Sequence, residues 1–307
     1  MALLEVNDLS VAFVQYVRGF RQQQAQVLHG LSLSVDSGEI LAVVGASGSG
    51  KSLLAHAILG ILPVNARARG SLRFRGEELT PERQQALRGS EIALVPQSVQ
   101  YLDPLMRVGR QVRDAVRTGD PAEAQRSVFE RYRLKPGTAA LFPFQLSGGM
   151  ARRVLVSTAT VSGARLVVAD EPTPGLDPAV VAEALGSFRE LADEGCGVML
   201  ISHDIESALA VADRVAVLYA GSVVEIARAE EFAGAGEALR HPYTRALWRA
   251  LPQNGFVPLR GSQPPANALP AGCAFAPRCA YADASCTAER PGERALRGGM
   301  VRCIHAS

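Results

Sequence analysis

The apolar run Ile40 to Val44 ends in Gly45-Ala46-Ser47-Gly48-Ser49-Gly50-Lys51-Ser52, and the apolar, helix-like segment Leu53 to Leu62 follows at once. A buried strand, a glycine-rich turn and a helix in direct succession leave this part of the chain few options. The glycines permit backbone turns that a side chain would block, so successive N–H groups can converge on one point, to which the helix adds its positive end. With Lys51 and Ser52 at the helix start, the pattern G-x-x-x-x-G-K-S is complete and reads as a phosphate-binding loop. Lys51 is then expected on the β- and γ-phosphates, and the Ser52 hydroxyl on magnesium. A flexible Gly/Ser loop that merely ends in Lys-Ser is the bland alternative, and the strand-then-helix context speaks against it. Pro63 is expected to stop the helix.

A chain of 307 residues exceeds one ordinary core, so a large α/β domain with a smaller appendage is expected. A hydrophobic fraction of 48% and a charged fraction of 20% fit a globular protein. With 32 basic against 30 acidic residues, the net charge of +2 gives no argument for a nucleic-acid or acidic partner. No apolar run approaches the roughly 20 residues that span a bilayer. Glu5 and Asp8 also interrupt the amino terminus where a secretory signal would be apolar. A cytosolic chain is expected, with any membrane role exercised through a partner protein.

Leu3 to Phe13 and Val27 to Val35 alternate apolar and polar residues, as in Leu31-Ser32-Leu33-Ser34-Val35, and read as strands of an antiparallel layer. Val14 to Gln26 is polar and reads as a long loop upstream of the phosphate site. An aromatic side chain there can stack on an adenine ring. Phe13 is the first choice, with Tyr16 and Phe20 as competitors and a core-facing Phe13 as the alternative.

Further strands are expected at Ser71 to Phe74 and at Glu91 to Val95, the latter leaving Gln97 at its exit, placed to ligate the metal or orient water. From Leu102 to about Ser162 the apolar spacing changes to a helical period, which reads as a helical insertion. Within it, Leu146-Ser147-Gly148-Gly149-Met150 is a second glycine-rich turn meeting a helix start, with anion-binding chemistry but no lysine. It suits a half-site that closes over a phosphate held by something else. Arg165 to Ala169 is a buried-strand run ending in Asp170-Glu171, where open α/β sheets place their chemistry. Asp170 is expected to hold magnesium and Glu171 to polarise the attacking water. Val198 to Ile201 ends at Ser202-His203, which sets His203 near the γ-phosphate and the water.

With Gly45 to Ser52, Gln97, Leu146 to Gly149, Asp170-Glu171, Leu176-Asp177 and His203 in this order, the chain resembles the ATP-binding subunit of ABC transporters over roughly Leu3 to Ile226. The resemblance implies an α/β P-loop NTPase: a RecA-like core, an antiparallel β subdomain and a helical subdomain near 102–162. It implies two such domains paired head to tail. Ser147, Gly148, Gly149 and Asp177 of each would then complete the ATP site of the other, while Glu171 and His203 act in hydrolysis. Two membrane permease subunits and an extracytoplasmic substrate-binding protein are the implied partners, at the cytoplasmic face of the inner membrane. A narrower resemblance is to the oligopeptide, dipeptide and nickel importer branch. Leu102-Asp103-Pro104, Met150 after Gly149, His241 to Leu247 and Gly272 to Cys279 carry it. It implies a boundary near residue 232, an extension over 233–307, a related but non-identical partner ATPase, and peptides ahead of nickel or a metal chelate as cargo. Two departures stand out: Pro174-Gly175 precede Leu176-Asp177, and Ala151-Arg152-Arg153 stands where a Gln-Arg pair is usual.

Cys273, Cys279, Cys286 and Cys303 are spaced C-x5-C-x6-C-x16-C near the carboxyl terminus, while Cys196 stands apart as a small core residue. Disulfides are disfavoured in the cytosol, so four thiolates point to an iron-sulfur cluster or a structural zinc. Close C-x2-C pairs, which zinc knuckles prefer, are absent, and the resemblance favours a 4Fe-4S cluster. Pro264, Pro265, Pro270 and Pro277 suggest a tail folded around this centre rather than around a core. A soluble ABC-type ATPase acting on DNA or ribosomes is the rival, although the chain has neither sustained heptads nor a second phosphate loop. An exporter's ATPase is a third possibility, against which the segment from His241 and the cysteine tail both speak.

Overall fold

The computed structural model describes residues 2–17 and 21–307. It begins with a long antiparallel hairpin, β1 (Ala2–Val17) and β2 (Arg21–Asp36), then β3 (Ile40–Gly45) and α1 (Lys51–Leu59). β4 (Ala66–Phe74), the short β5 (Glu77–Glu78), α2 (Pro81–Leu87) and β6 (Ile92–Val95) follow. A stretch of helices and loops carries α3 (Val108–Asp114), α4 (Pro121–Arg131) and α5 (Gly148–Thr160). Alternation resumes with β7 (Leu166–Asp170), α6 (Pro178–Asp193), β8 (Gly197–Ser202), α7 (Ile205–Leu209), β9 (Arg214–Tyr219) and β10 (Ser222–Arg228). The tail adds α8 (Pro242–Arg249), α9 (Ala284–Ala288), β11 (Arg294–Leu296) and β12 (Gly299–Val301).

These strands form two sheets. One is four-stranded in the order β2-β1-β4-β5, and the other is eight-stranded in the order β11-β12-β10-β9-β3-β8-β7-β6. From β9 to β6 the larger sheet is parallel, and β3 at its centre is buried at every position. Side chains alternate across a strand, so β3 feeds two cores. Ile40, Ala42 and Val44 pack with Val112 of α3, Val154 of α5 and Phe188 of α6. Leu41 and Val43 pack on the opposite side with Leu54 and Ile58 of α1 and with Leu4, Val6, Leu28 and Phe74 of the smaller sheet. Burial on both faces is why the parallel strands read as continuous apolar runs in the sequence.

Three expectations need correction. The backbone of residues 14–17 and 21–26 is strand rather than loop, with Phe13 opposite Ala25 and Gln15 opposite Gln23. Cross-strand pairing satisfies backbone groups whatever the side chains are, and Gln23, Gln24 and Gln26 are exposed, so no apolar alternation announces the strand. Helix α1 ends before Pro63: Gly60, with φ 65°, takes the left-handed conformation and donates its N–H to the carbonyls of His56 and Ala57. The tail is also more than a loop around its thiols. β12 pairs with β10 and so extends the large sheet, and the Phe275 ring packs 5.4 Å from those of both Tyr219 and Tyr243. The tail therefore shares the core of the rest.

Candidate functional site

The spatial order β6-β7-β8-β3, all parallel, brings four strand exits to one edge of the sheet. Gln97, Asp170-Glu171, Ser202-His203 and the loop Gly45 to Ser52 follow those strands in that order. This is the edge where open α/β sheets bind ligands. In the loop, Gly45 has φ 156°, and a Cβ there would stand 2.3 Å from the Leu218 carbonyl oxygen. Gly50, with φ 100°, caps α1, and a Cβ would meet Leu28 Cδ2 at 2.4 Å. Only glycine fits either place.

Ser47 and Gly48 are exposed at the crest of the loop, whereas Ser49 is fully buried and its Oγ has no hydrogen-bond partner among the described residues. Lys51 is buried, and its Nζ donates to the carbonyl oxygens of Gly45 at 2.8 Å and Ala46 at 3.2 Å. Burial pushes the Lys51 ammonium below its usual pKa, while the carboxylates of Glu171 and Asp170 pull it back up. A buried cation, an unpaired hydroxyl and a helix start on one loop form a receptor for an oxyanion.

Ser52 Oγ donates to Asp170 Oδ1 at 3.1 Å, which puts two hard oxygen donors side by side, as magnesium requires. Burial raises the pKa of the Asp170 carboxyl, and the Ser52 bond opposes that. Glu171 has φ 44°, rare for a residue with a Cβ and costing about 1–2 kcal/mol. Its N–H donates to the Ile201 carbonyl at 2.9 Å. Its Oε2 accepts Gln97 Nε2 at 3.0 Å and lies 3.2 Å from His203 Nδ1. The Gln97 amide is thus held against the carboxylate expected to act on the water.

Ser147 caps α5, its Oγ accepting the Met150 N–H at 3.3 Å, and both Ser147 and Gly148 are exposed. Asp177 is the cap of α6, accepting from Ala179 N at 3.1 Å and Val180 N at 3.2 Å. Phe13 is half-buried on β1, opposite Ala25 and Ala66. Phe20 and the side chain of Tyr16 lie outside the described residues. Sequence reasoning gave no role to Arg152, whose buried guanidinium bonds the carbonyls of Pro96 and Gln97. Its departure from the usual Gln was the one signal available.

In the tail, Cys273, Cys279, Cys286 and Cys303 are all free thiols. Cys286 and Cys303 are buried, and Cys273 N donates to the Cys286 carbonyl at 2.8 Å. Burial raises the Cys273 and Cys279 thiol pKa values, and the neighbouring Cys303 and Cys286 push in the same direction, so the four sit within electrostatic reach of one another. Among the described residues no three of these thiols approach within 4.8 Å of one another; the cluster that does joins Asp283, Cys286 and His305. Four thiolates on one zinc, at about 2.3 Å each, would stand about 3.8 Å apart. No three of the four are that close, and Arg290 lies near enough to Cys273 for their charges to interact. Cys196 is a buried core residue whose thiol is pushed up to about 11 by burial.

A parallel sheet carrying a phosphate loop, a magnesium pair, a strand-end glutamate and a second glycine turn on a helical layer defines a nucleotide hydrolase of the ATP-binding-cassette class. The model for the ABC transporter family matches residues 28–174, and that for the oligopeptide/dipeptide transporter C-terminal region matches residues 224–286. The dipeptide transport ATP-binding protein DppD of Escherichia coli (strain K12) is 35% identical over 324 residues, covering 99% of this chain and 97% of that one. The oligopeptide transport ATP-binding protein OppD of Mycobacterium bovis is 35% identical over 309 residues, covering 94% of this chain and 49% of that one. Among solved structures, the dimeric bacterial ABC transporter cassette MJ0796 superposes with a TM-score of 0.64 at 22% identity, covering 74% of this chain and 98% of that one. An ATP-binding subunit of an ABC transporter gives 0.61 at 27% identity, covering 75% and 91%. The chain belongs to the ABC transporter family, in the branch of ATP-hydrolysing subunits that carry the oligopeptide/dipeptide transporter C-terminal region.

Proposed function

We propose that this subunit hydrolyses ATP to drive import of short peptides, with nickel or a metal chelate as the second choice of cargo. The observation that carries the reading is the setting of Glu171, strained at a strand end and held between Gln97 and His203 beside the Ser52–Asp170 pair. Lys51 leaves its two loop carbonyls for the β- and γ-phosphates, Ser52 and Asp170, with Gln97, would hold a magnesium ion supplying charge neutralisation there, and Glu171 orients and deprotonates the water attacking in line. His203 steadies that carboxylate. Ser147 and Gly148 are exposed and, with the half-buried Gly149, complete the site of a second ATPase subunit, related but not identical, while Asp177 lines the same junction. Phe13 is the proposed adenine platform.

The Glu171→Gln variant of the assembled transporter should bind ATP normally and lose at least about a hundredfold in turnover, the effect of removing a general base. Near-normal hydrolysis would remove Glu171 from that role.

The face offered to the two permeases is the groove lined by Val99, Leu102, Pro104, Pro143, Phe144 and Ala151, in which Phe144 is 75% exposed and next to which Leu105 is 88% exposed. Large apolar side chains so exposed beside the exit of β6 suit a partner that must sense Gln97. Among the described residues no helix is long and apolar enough to cross a membrane. The subunit is placed peripherally at the cytoplasmic face of the inner membrane, served by an external binding protein. In the extension, taken as residues 233–307, the four tail thiols are assigned to a 4Fe-4S cluster. When bound, it would tie α9 and the end of the chain after β12 to the loops carrying Cys273 and Cys279. Cys273 and Cys279 would hold it from the proline-rich side, and Cys286 and Cys303 from the buried side.

A further inference from the structure

Arg152 lies on α5, five residues beyond Ser147, and is only 4% exposed, a rare state for a guanidinium. Its Nη1 donates to the Pro96 carbonyl at 2.7 Å and its Nη2 to the Gln97 carbonyl at 2.7 Å. Its Nε has no partner, and among the described residues no carboxylate pairs with it, whereas the adjacent Arg153 takes Glu183 at 2.9 Å. Burial accordingly lowers the pKa of the Arg152 guanidinium. A buried charge without a counter-ion is a poor way to hold two elements together, since an apolar residue of similar volume commonly does so at no loss. What the guanidinium adds is geometry: two short bonds from one rigid fork fix both the position and the orientation of the backbone they grip.

The backbone it grips is the exit of β6. Gln97 continues from there to Glu171, donating Nε2 to Oε2 at 3.0 Å. An unbroken series of bonds therefore runs from the helix that begins at Ser147, through Arg152 and the Gln97 backbone, to the carboxylate at the end of β7. We propose that Arg152 is a positioning residue that makes Gln97, and through it Glu171, follow the helix α5. Docking of Ser147 to Gly149 on the neighbouring subunit's nucleotide then aligns the carboxylate in this subunit's own site. The inference rests on the paired-subunit reading above and adds a direction of signalling to it.

The test uses the assembled transporter with Arg152→Met, Arg152→Lys and, alongside, Glu171→Gln. For Arg152→Met, nucleotide affinity of the free subunit should stay within about twofold of the parent. The kcat for ATP should fall roughly tenfold to a hundredfold, the cost of an ångström-scale misplacement of a catalytic group, and the Hill coefficient for ATP should drop toward one. Arg152→Lys keeps a donor for one carbonyl and should recover part of both. Should Arg152→Met fail to fold, Arg152→Lys carries the same criteria. Parent-like kcat and Hill coefficient in the folded variants would overturn the proposal, as would a kcat loss matched by an equal loss of nucleotide affinity. If Glu171→Gln itself turned over normally, the fault would lie with the assignment of the site and not with Arg152.

Discussion

Replacing Arg240 by Met strips a carboxylate of its partner at a place where the tail, β10 and the segment before α8 meet. Arg240 and Glu225 side chains are both fully buried. The guanidinium donates to Glu225 Oε1 at 3.3 Å, to Glu231 at 3.1 and 2.5 Å, and to the carbonyls of Leu296 and Arg297 at 2.7 Å each. Removing one partner of a buried pair costs about 3–5 kcal/mol. Glu225 keeps the backbone N–H groups of Arg240 and His241 at 2.7 and 2.8 Å, which places the charge penalty near the lower end. The two carbonyls left without a donor add roughly 0.5–1 kcal/mol each. A total of about 4 kcal/mol is a large share of the 5–15 kcal/mol of an ordinary domain. The assay is urea unfolding at pH 7, followed through Trp248, the single tryptophan, buried on α8 against Phe232. With a slope of about 3 kcal/mol per molar urea, the midpoint should fall by somewhat over about 1 M. Adding Glu225→Gln to Arg240→Met removes the stranded charge but turns one of the two acceptor oxygens into a donor facing a backbone N–H, so it should recover less than half. A single-variant loss below about 1 kcal/mol, the range of exposed pairs, or a double variant worse than the single, would refute the reasoning.

His241 makes stability depend on pH. Burial holds it down to about 3, with a bond to the Arg302 backbone acting weakly in the other direction, so the folded chain keeps the ring neutral while the unfolded chain protonates it below about 6.5. Stability is therefore full above pH 6.5 and is lost as the pH falls toward 3, by about 1.4 kcal/mol per pH unit, or about 2 kcal/mol between pH 7 and 5. His241→Asn, which can still accept the Tyr243 N–H bond that caps α8, should flatten part of that slope in urea titrations at the two pH values; an unchanged slope would count against His241. His29, held to about 4 mainly by burial, works in the same direction and accounts for a remainder. For the tail, anaerobic preparation should yield about four irons per chain with absorbance near roughly 400 nm, both lost in Cys279→Ser; zinc in place of iron by metal analysis would overturn that assignment.

What the sequence determined by itself is local. The phosphate loop, the glycine turn before α5 and the carboxylate pair ending β7 are each written within a dozen consecutive residues, because spacing along the chain sets which groups can share one turn. The buried parallel strands were legible too, since two covered faces demand apolar residues at every position. The outer halves of β1 and β2 were not, because backbone pairing there needs no apolar pattern. Other features were decided only by tertiary packing: β12 joining β10, Arg240 reaching Leu296 across 56 residues, and Arg152 reaching Pro96 across the same separation. A long polar side chain finds its partner only after α5 has settled against β6, and no periodicity along the chain records that meeting. The strand order β6-β7-β8-β3 belongs with them: it sets Gln97, Glu171, His203 and Lys51 along one edge, although in sequence they are scattered over about half of the polypeptide.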